Sequence, residues 1–176
     1  MTPSHYRDIR ISHKEEMPHP LVMSQLFERL HREIANSPGS IAVSFPEFDV
    51  TLGSLLRLHG SASDLQSLGL DWLGAPLSRL VRCGGVFSAP SEAPLQVFRR
   101  VQPRAGGERW LRRWMQRHPG ESPPRPPEPV QLRDPFVQIR SKSTGQPMVL
   151  FIVRDDPSKS MDKPNSYGLG SQVPVF

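Results

Sequence analysis

The chain has 176 residues, 36% of them hydrophobic and 22% charged, with a formal net charge of +5 and a pI near 10.0. These values exclude fibrous and wholly disordered proteins and predict a globular fold of one ordinary domain or two small ones. The longest apolar run has six residues and the N-terminal stretch is polar, which predicts a cytoplasmic protein without a membrane span or signal peptide.

The first half of the chain alternates strand-like and helix-like patterns. Residues 5–11 alternate polar and apolar side chains as a strand does, and Pro20 is suited to the first turn of a helix. Apolar side chains then recur at helical spacing as far as Ile34. Further strands are predicted at residues 41–45, 55–59 and 78–87, with a helix at residues 63–70. The order βαββαβ is typical of a ferredoxin-like domain, which we expect over residues 1–93.

The composition changes after residues 89–94, which contain two prolines and form the best candidate boundary. Between residues 96 and 118 there are seven arginines and one acid, Glu108. Residues 119–135 contain seven prolines, too many for a helix or a central strand, and are predicted to be an extended linker.

The last part of the chain predicts a hairpin followed by loops. Two strand-like runs, at residues 136–140 and 148–154, are joined by a polar stretch that contains Gly145. Residues 155–176 have few regular patterns and are predicted to be mostly loop. Residues 94–176 are therefore expected to form a second α+β domain.

The stretch RWLRRWMQRH, residues 109–118, has the strongest local pattern in the chain. At about 100° per residue, a helix there places its arginines on one face and its large apolar side chains on the other. The two faces consist of Arg109, Arg112, Arg113 and Arg117, and of Trp110, Leu111, Trp114 and Met115. Because like charges so close repel one another, this face favours phosphate binding over a merely solvated basic surface.

Arginine makes up 18 of the 22 basic residues. Its planar guanidinium matches phosphates and guanine edges with paired hydrogen bonds, which favours a nucleic-acid partner, although a GC-rich genome also explains the bias. An A-form RNA stem admits a helix to its narrow major groove only where the duplex ends, so a short hairpin is the preferred target. Arg99, Arg100 and Gln102 precede the predicted helix and suit guanine and adenine edges.

RNA can be cleaved without a metal ion when its own 2′-hydroxyl attacks the phosphate and side chains move the protons. The six histidines show no metal-ligand spacing and Cys83 is the only cysteine, so neither a metal nor another cofactor is expected. His31 lies at the border of an apolar helix face, where a histidine is more often structural than catalytic. Ser141, Ser143 and Thr144 can position a ribose hydroxyl or act only as turn residues.

Nine segments, in order and with similar spacing, resemble the CRISPR repeat-processing endoribonucleases of type I-F systems. They are YRDIRI, VMSQLFERLH, VSFPEFD, LRLHGSASDLQSL, RRVQ, RWMQRH, PFVQIRSKSTGQ, LFIVR and SYGLG. The resemblance implies a ferredoxin-like N-terminal domain and a C-terminal domain whose arginine-rich helix docks in the major groove of a repeat hairpin. It also implies metal-independent cleavage at the base of the stem, giving a 2′,3′-cyclic phosphate and a 5′-hydroxyl. The enzyme would then keep the crRNA hairpin as a subunit of a surveillance complex.

The resemblance implies roles for individual residues. The histidine of the family's FxxLH segment, which transfers a proton, falls on His31. The serine that restrains the 2′-hydroxyl nucleophile falls on Ser141, and the second serine of that motif on Ser143. Tyr167 matches a tyrosine that helps to orient the site.

The same resemblance implies contacts with the RNA. The family's RVQ segment reads bases near the cut, which points to Arg100 and Gln102, and the four arginines of residues 109–118 belong to its groove helix. One departure is Met148, which stands where the family has an aromatic residue that stacks on the last base pair of the stem. Weaker stacking is therefore expected.

Two alternatives to a nuclease stay open at this point. The first is a guide-RNA subunit that holds the hairpin without cutting it, prompted by Met148. The second is a general basic nucleic-acid chaperone, which predicts binding that ignores the hairpin sequence and weakens steeply with salt.

Overall fold

The computed structural model describes residues 3–12, 17–35, 40–102, 108–124, 133–140 and 145–176. The chain forms an α+β structure of two compact units, the larger made of Met1–Arg100 and Asp134–Phe176 and the smaller of Val101–Arg133. The boundary expected between residues 93 and 94 lies inside the larger unit. That residues 1–93 and 94–176 form two domains stays a prediction. No helix among the described residues is long and apolar enough to cross a membrane.

A four-stranded antiparallel sheet contains the first half of the larger unit. Its strands are β1 (His5–Ile11), β2 (Ala42–Ser44), β3 (Leu55–Gly60) and β4 (Val81–Ser88), in the order β2-β3-β1-β4. Helix α1 (His19–Ile34) joins β1 to β2, and helix α2 (Ala62–Ser67) follows β3. This topology is consistent with the ferredoxin-like domain that the sequence predicts.

The chain departs from the predicted elements between α2 and β4. Gly69, with φ of 59°, follows the end of α2, so the helix stops before residue 70. A 3₁₀ turn at Asp71–Leu73 and helix α3 (Leu77–Leu80) come next, so the prediction of a strand from residue 78 was wrong at its start. The reason is spacing: Leu77 and Leu80 are both buried, and a helical turn brings residues three apart to one face.

A second four-stranded sheet completes the larger unit. Its strands are β5 (Leu95–Val101), β6 (Phe136–Arg140), β7 (Pro147–Asp155) and β8 (Gln172–Pro174), in the order β6-β7-β5-β8. The predicted hairpin is confirmed, because β6 and β7 pair antiparallel from Phe136 opposite Phe151 to Arg140 opposite Pro147. The sequence did not predict β5, nor β8, which pairs with β5 inside the expected loop.

One continuous core joins α1 and both sheets. Leu26 and Leu30 of α1 are fully buried together with Val137 of β6 and Leu150 of β7. Ser24 adds a polar contact, since its hydroxyl donates to the carbonyl oxygen of Pro20 at 2.8 Å and accepts from a backbone N–H of β6 at 3.1 Å. The helix predicted from Pro20 is thus the element against which both sheets pack.

Arg57 anchors the segment after β8 to the first sheet. It is only 6% exposed, and its Nε and Nη2 donate to the two carboxylate oxygens of Asp8 at 2.7 and 3.0 Å. Its Nη1 donates to the backbone oxygen of Phe176 at 2.9 Å. The guanidinium carbon lies 4.6 Å from the ring centre of Tyr6 and 4.1 Å from that of Phe176. Cation–π contacts and the ion pair together compensate for burying this charge.

His59 is a buried structural histidine on β3. Its Nε2 lies 2.7 Å from the hydroxyl of Ser44. Burial, and secondarily the positive charge of Arg57, lowers the pKa of His59 to about 3. The imidazole is therefore neutral near pH 7 and belongs to the core.

We expect the ion pair between Arg57 and Asp8 to contribute much more to the free energy of unfolding than the pair between Arg32 and Glu28. Asp8→Ala should lower the free energy of unfolding by about 3 kcal/mol, because it leaves a buried guanidinium without its anion. Arg32→Ala breaks the exposed pair with Glu28 and should cost less than about 1 kcal/mol. Urea unfolding of the two variants measures the difference, and equal losses would contradict the anchoring role of Arg57.

Candidate functional site

His31, in the last turn of α1, meets the turn that precedes β8. Its Nδ1 lies 2.6 Å from the backbone oxygen of Ser166. The ring of Tyr167 stacks on the imidazole, with centroids 4.1 Å apart and planes 18° from parallel. Two of the four catalytic candidates are thus in direct contact, although they lie 136 positions apart in the chain.

The contact with Ser166 determines which ring nitrogen of His31 carries hydrogen. A carbonyl oxygen can only accept, so Nδ1 must be the donor in this hydrogen bond. In the neutral imidazole, Nε2 then holds the free lone pair. The arrangement presents Nε2 as the atom that can take up or release a proton.

Local contacts hold Tyr167 against His31. The ring of Phe27, one helical turn before His31, lies parallel to the tyrosine ring at 6.4 Å. The side-chain oxygen of Asn165 accepts from the backbone N–H groups of Tyr167 and Leu169 at 2.8 and 3.1 Å. Asn165 was not predicted from the sequence, although an Asn two residues before the tyrosine is a recognisable turn signal.

Gly168 lets this turn approach the core. Its φ is 74°, and its backbone oxygen accepts from the N–H of Val43 in β2 at 2.8 Å. A Cβ at this position would come within 3.0 Å of a Val43 methyl group and 3.2 Å of Ile34. The glycine is therefore required both by its backbone conformation and by the lack of space.

The structure distinguishes the neighbouring arginines of β5. Arg99 donates through Nε and Nη2 to Asp155 at 3.2 and 2.6 Å. Hydrogen bonds from Lys159 and from Arg99 hold the pKa of the Asp155 carboxyl well below its usual range. Arg100 instead directs its guanidinium towards Tyr167, with 5.7 Å between the guanidinium carbon and the ring centre. Of these two arginines, Arg100 therefore belongs to the cluster around His31 and Arg99 does not.

The remaining candidates of the hairpin region are only partly described. Ser141, Ser143 and Thr144 lie outside the described residues, directly after the end of β6. Met148 lies in β7 opposite Ile139, half-buried against the core. Within the described ranges, no three His, Cys, Asp or Glu side chains form a group that could hold a metal ion.

The smaller unit contains the predicted arginine-rich helix, α4 (Glu108–Arg117). Its exposed side chains include Arg112, Arg113 and Arg117, and Gln102 before it is also exposed; the side chain of Arg109 lies outside the described residues. Trp110 and Trp114 are half-buried with ring centroids 6.5 Å apart, and His118 stacks on Trp114 at 4.5 Å. Met115, at the rim of the apolar arc, is 54% exposed.

Comparison with known proteins identifies relatives along nearly the entire chain. The family model of the CRISPR-associated protein (Cas_Csy4) matches residues 6–176. A CRISPR-associated endonuclease Cas6/Csy4 of Pseudomonas aeruginosa (strain UCBPP-PA14) is 40% identical over 158 residues, covering 84% of each chain. A protein of the same name from Escherichia coli (strain UTI89 / UPEC) is 32% identical over 179 residues, covering 97% of each chain.

The hydrogen bond at Ser166 predicts the tautomer of His31. Long-range ¹H–¹⁵N NMR should find hydrogen on Nδ1 and none on Nε2 in the neutral ring. Tyr167→Phe should keep the ring-current shift of the His31 protons because the aromatic face remains, whereas Tyr167→Leu should abolish it. A neutral His31 with hydrogen on Nε2 would contradict the observed geometry.

Proposed function

Because this chain belongs to the Cas_Csy4 family of CRISPR-associated proteins, we propose that it is a metal-independent endoribonuclease that cuts the repeat hairpins of precursor crRNA. The observation that carries the proposal is the fixed imidazole of His31, held by Ser166 and Tyr167 with Nε2 left free to move a proton. Both named relatives are endonucleases, which supports the same activity for this chain.

The proposed reaction uses the RNA's own 2′-hydroxyl as the nucleophile. Nε2 of His31 accepts the hydroxyl proton while the 2′-oxygen bonds to phosphorus and the bond to the 5′-oxygen breaks. The proton then passes to the leaving oxygen, so the products are a 2′,3′-cyclic phosphate and a 5′-hydroxyl. We propose that Ser141 and Ser143 restrain the 2′-hydroxyl, in keeping with their place directly after β6.

We propose that two groups of side chains recognise the RNA, one at the end of β5 and one on α4. Arg100 is next to the imidazole cluster and, with the exposed Gln102, is suited to read bases near the cut. The exposed arginines of α4 suit phosphates and base edges of the hairpin's major groove. In this proposal, residues 1–93 carry the catalytic histidine and residues 94–176 bind the hairpin.

The enzyme is proposed to act in the cytoplasm and to keep the mature crRNA hairpin after cleavage. Product retention follows if the groove contacts lie on the stem side of the cut, because cleavage does not break them. The protein would then join the other subunits of a type I-F surveillance complex. A second candidate is a guide-RNA subunit that holds the hairpin without cutting, favoured by Met148 in place of a stacking aromatic residue.

Cleavage of an end-labelled repeat hairpin in excess EDTA tests the proposal. The wild-type protein should cut once at the base of the stem, and His31→Ala should lose at least about 100-fold in single-turnover rate, as expected for a proton-transfer group. His5→Ala removes a histidine of β1 whose imidazole contacts Ser4, and as the matched control it should cut normally.

The outcomes separate the two candidates. Tight binding without cutting by the wild-type protein would establish the holding subunit and reject the nuclease. Cleavage that disappears in EDTA would contradict metal independence, and full activity of His31→Ala would remove His31 from the reaction.

If α4 binds the hairpin and the cluster around His31 cleaves it, Arg113→Ala should affect binding and not the cleavage step. Loss of one groove contact should weaken hairpin binding by about 10-fold and flatten its salt dependence, while the cleavage rate of saturated RNA stays unchanged. Arg79→Ala, which removes an exposed arginine of α3, should alter neither value. A large rate defect for bound RNA in Arg113→Ala would contradict the division.

A further inference from the structure

The first sheet has a partly open face that the proposed reaction does not use. Ile9 and Ile11 of β1 point into the core. Because successive strand residues point to opposite faces, Tyr6, Asp8 and Arg10 point away from that core. On β3, His59 and Arg57 lie opposite Tyr6 and Asp8 and are buried, so the exposed part of this face is the part over β1 and β4.

Three aromatic rings lie together on this face. Phe87 of β4 is the cross-strand neighbour of Tyr6, and their ring centroids are 6.0 Å apart. Phe176 meets Tyr6 on the other side, edge to face at 4.9 Å. Phe87 is 55% exposed and Phe176 is 43% exposed. A cluster of large, exposed aromatic side chains is a common mark of an interaction site.

Gly85 makes room for the ring of Phe87. Both residues lie on β4, where the pairing with β1 shifts register between Arg7 and Ile9. A Cβ at Gly85 would stand 3.3 Å from the tip of the Phe87 ring. The ring of Phe87 therefore lies close to the backbone at Gly85 and, at 55% exposure, keeps part of its surface accessible.

Two arginines lie at the other end of the same pair of strands. Arg10 of β1 is directly opposite Arg82 of β4, an arrangement in which like charges repel. Arg10 is paired with Glu47 at 2.6 Å, but within the described part of the chain no ion pair of the exposed Arg82 is seen. An anion placed over Arg82 would relieve the repulsion.

The acids near this face are already neutralised. Asp8, between the aromatic and the basic ends, is bound by Arg57. Glu47 is bound by Arg10 and by Ser54, whose side-chain and backbone groups donate at 2.7 and 2.9 Å. Among the described residues this leaves Arg82 as the positive charge of this face without an acidic partner, beside exposed rings, which favours a ligand with both flat apolar groups and phosphates.

We propose that Tyr6, Phe87, Phe176, Arg10 and Arg82 form a second RNA-binding surface that holds single-stranded RNA flanking the repeat hairpin. Aromatic side chains on neighbouring strands of a four-stranded antiparallel sheet stack unpaired bases in other RNA-binding proteins. Here Phe87, supported by the neighbouring ring of Tyr6, stacks a base, and Arg82 binds a phosphate. The inference rests on the proposed function, because the same precursor RNA supplies the single-stranded segment.

The experiment compares a bare repeat hairpin with hairpins that carry an unstructured uridine extension at the 5′ or the 3′ end. A 2′-deoxy group at the cut site keeps each RNA intact, and fluorescence anisotropy gives the affinities. One extension should raise the affinity of the wild-type protein by about tenfold, the effect of stacking one or two bases. Phe87→Ala and Arg82→Ala should each lose most of that gain and keep the affinity for the bare hairpin.

Two exposed residues elsewhere in the larger unit supply matched controls. Leu21→Ala on α1 and Arg79→Ala on α3 remove an apolar and a basic side chain away from this face, and both should keep the gain. Thermal unfolding should give the same midpoint for all four variants. A 4-thiouridine in the extension should form photocrosslinks to peptides of β1 or β4 in the wild-type protein.

Either of two results would overturn the second surface. One is that neither extension raises the affinity of the wild-type protein. The other is that Phe87→Ala keeps the full increase in affinity from the extension, which would mean that this face binds a protein partner instead. Failure of the proposed function is distinguishable, because it is read on the bare hairpin: wild-type protein that does not bind the deoxy-substituted hairpin and does not cut the all-ribose hairpin would reject the function whatever the extension does.

Discussion

The burial of one face of α1 against both sheets is the constraint on which the candidate site depends. Leu26 and Leu30 lie in the same core as side chains of β6 and β7, so the helix cannot rotate without exposing apolar surface. His31 follows Leu30 directly and is therefore held at the border of that face. A residue at a border has one side packed and one side accessible, which is what a proton-transfer group requires.

The turn before β8 completes the site because it is held from several directions. Asn165 fixes its backbone, Gly168 fits against β2, and the anchor at Arg57 secures the segment that follows. These contacts set the Tyr167 ring and the Ser166 carbonyl against His31 without help from RNA. The imidazole is thus oriented in advance, and a bound substrate does not have to supply that ordering.

Charge is distributed unevenly over the described surface. Arg99 is bound to Asp155 and Arg57 to Asp8, so these arginines stabilise the fold. Within the described side chains, no ion pair is seen for Arg82, Arg100, Arg112, Arg113 or Arg117. The net charge of +5 therefore understates how much positive charge is available to a polyanion. This distribution explains how an arginine-rich protein can be both stably folded and suited to RNA.

The sequence by itself determined the order βαββαβ, the β6–β7 hairpin, helix α4 and the border position of His31. Each depends on periodicity over a few neighbouring residues, which the chain displays locally. Only the tertiary structure decided that β8 pairs with β5, that Arg100 rather than Arg99 joins the cluster, and that Nδ1 of His31 meets the backbone oxygen of Ser166. These features depend on contacts between residues far apart in the chain, and no local pattern encodes which distant partner a side chain meets.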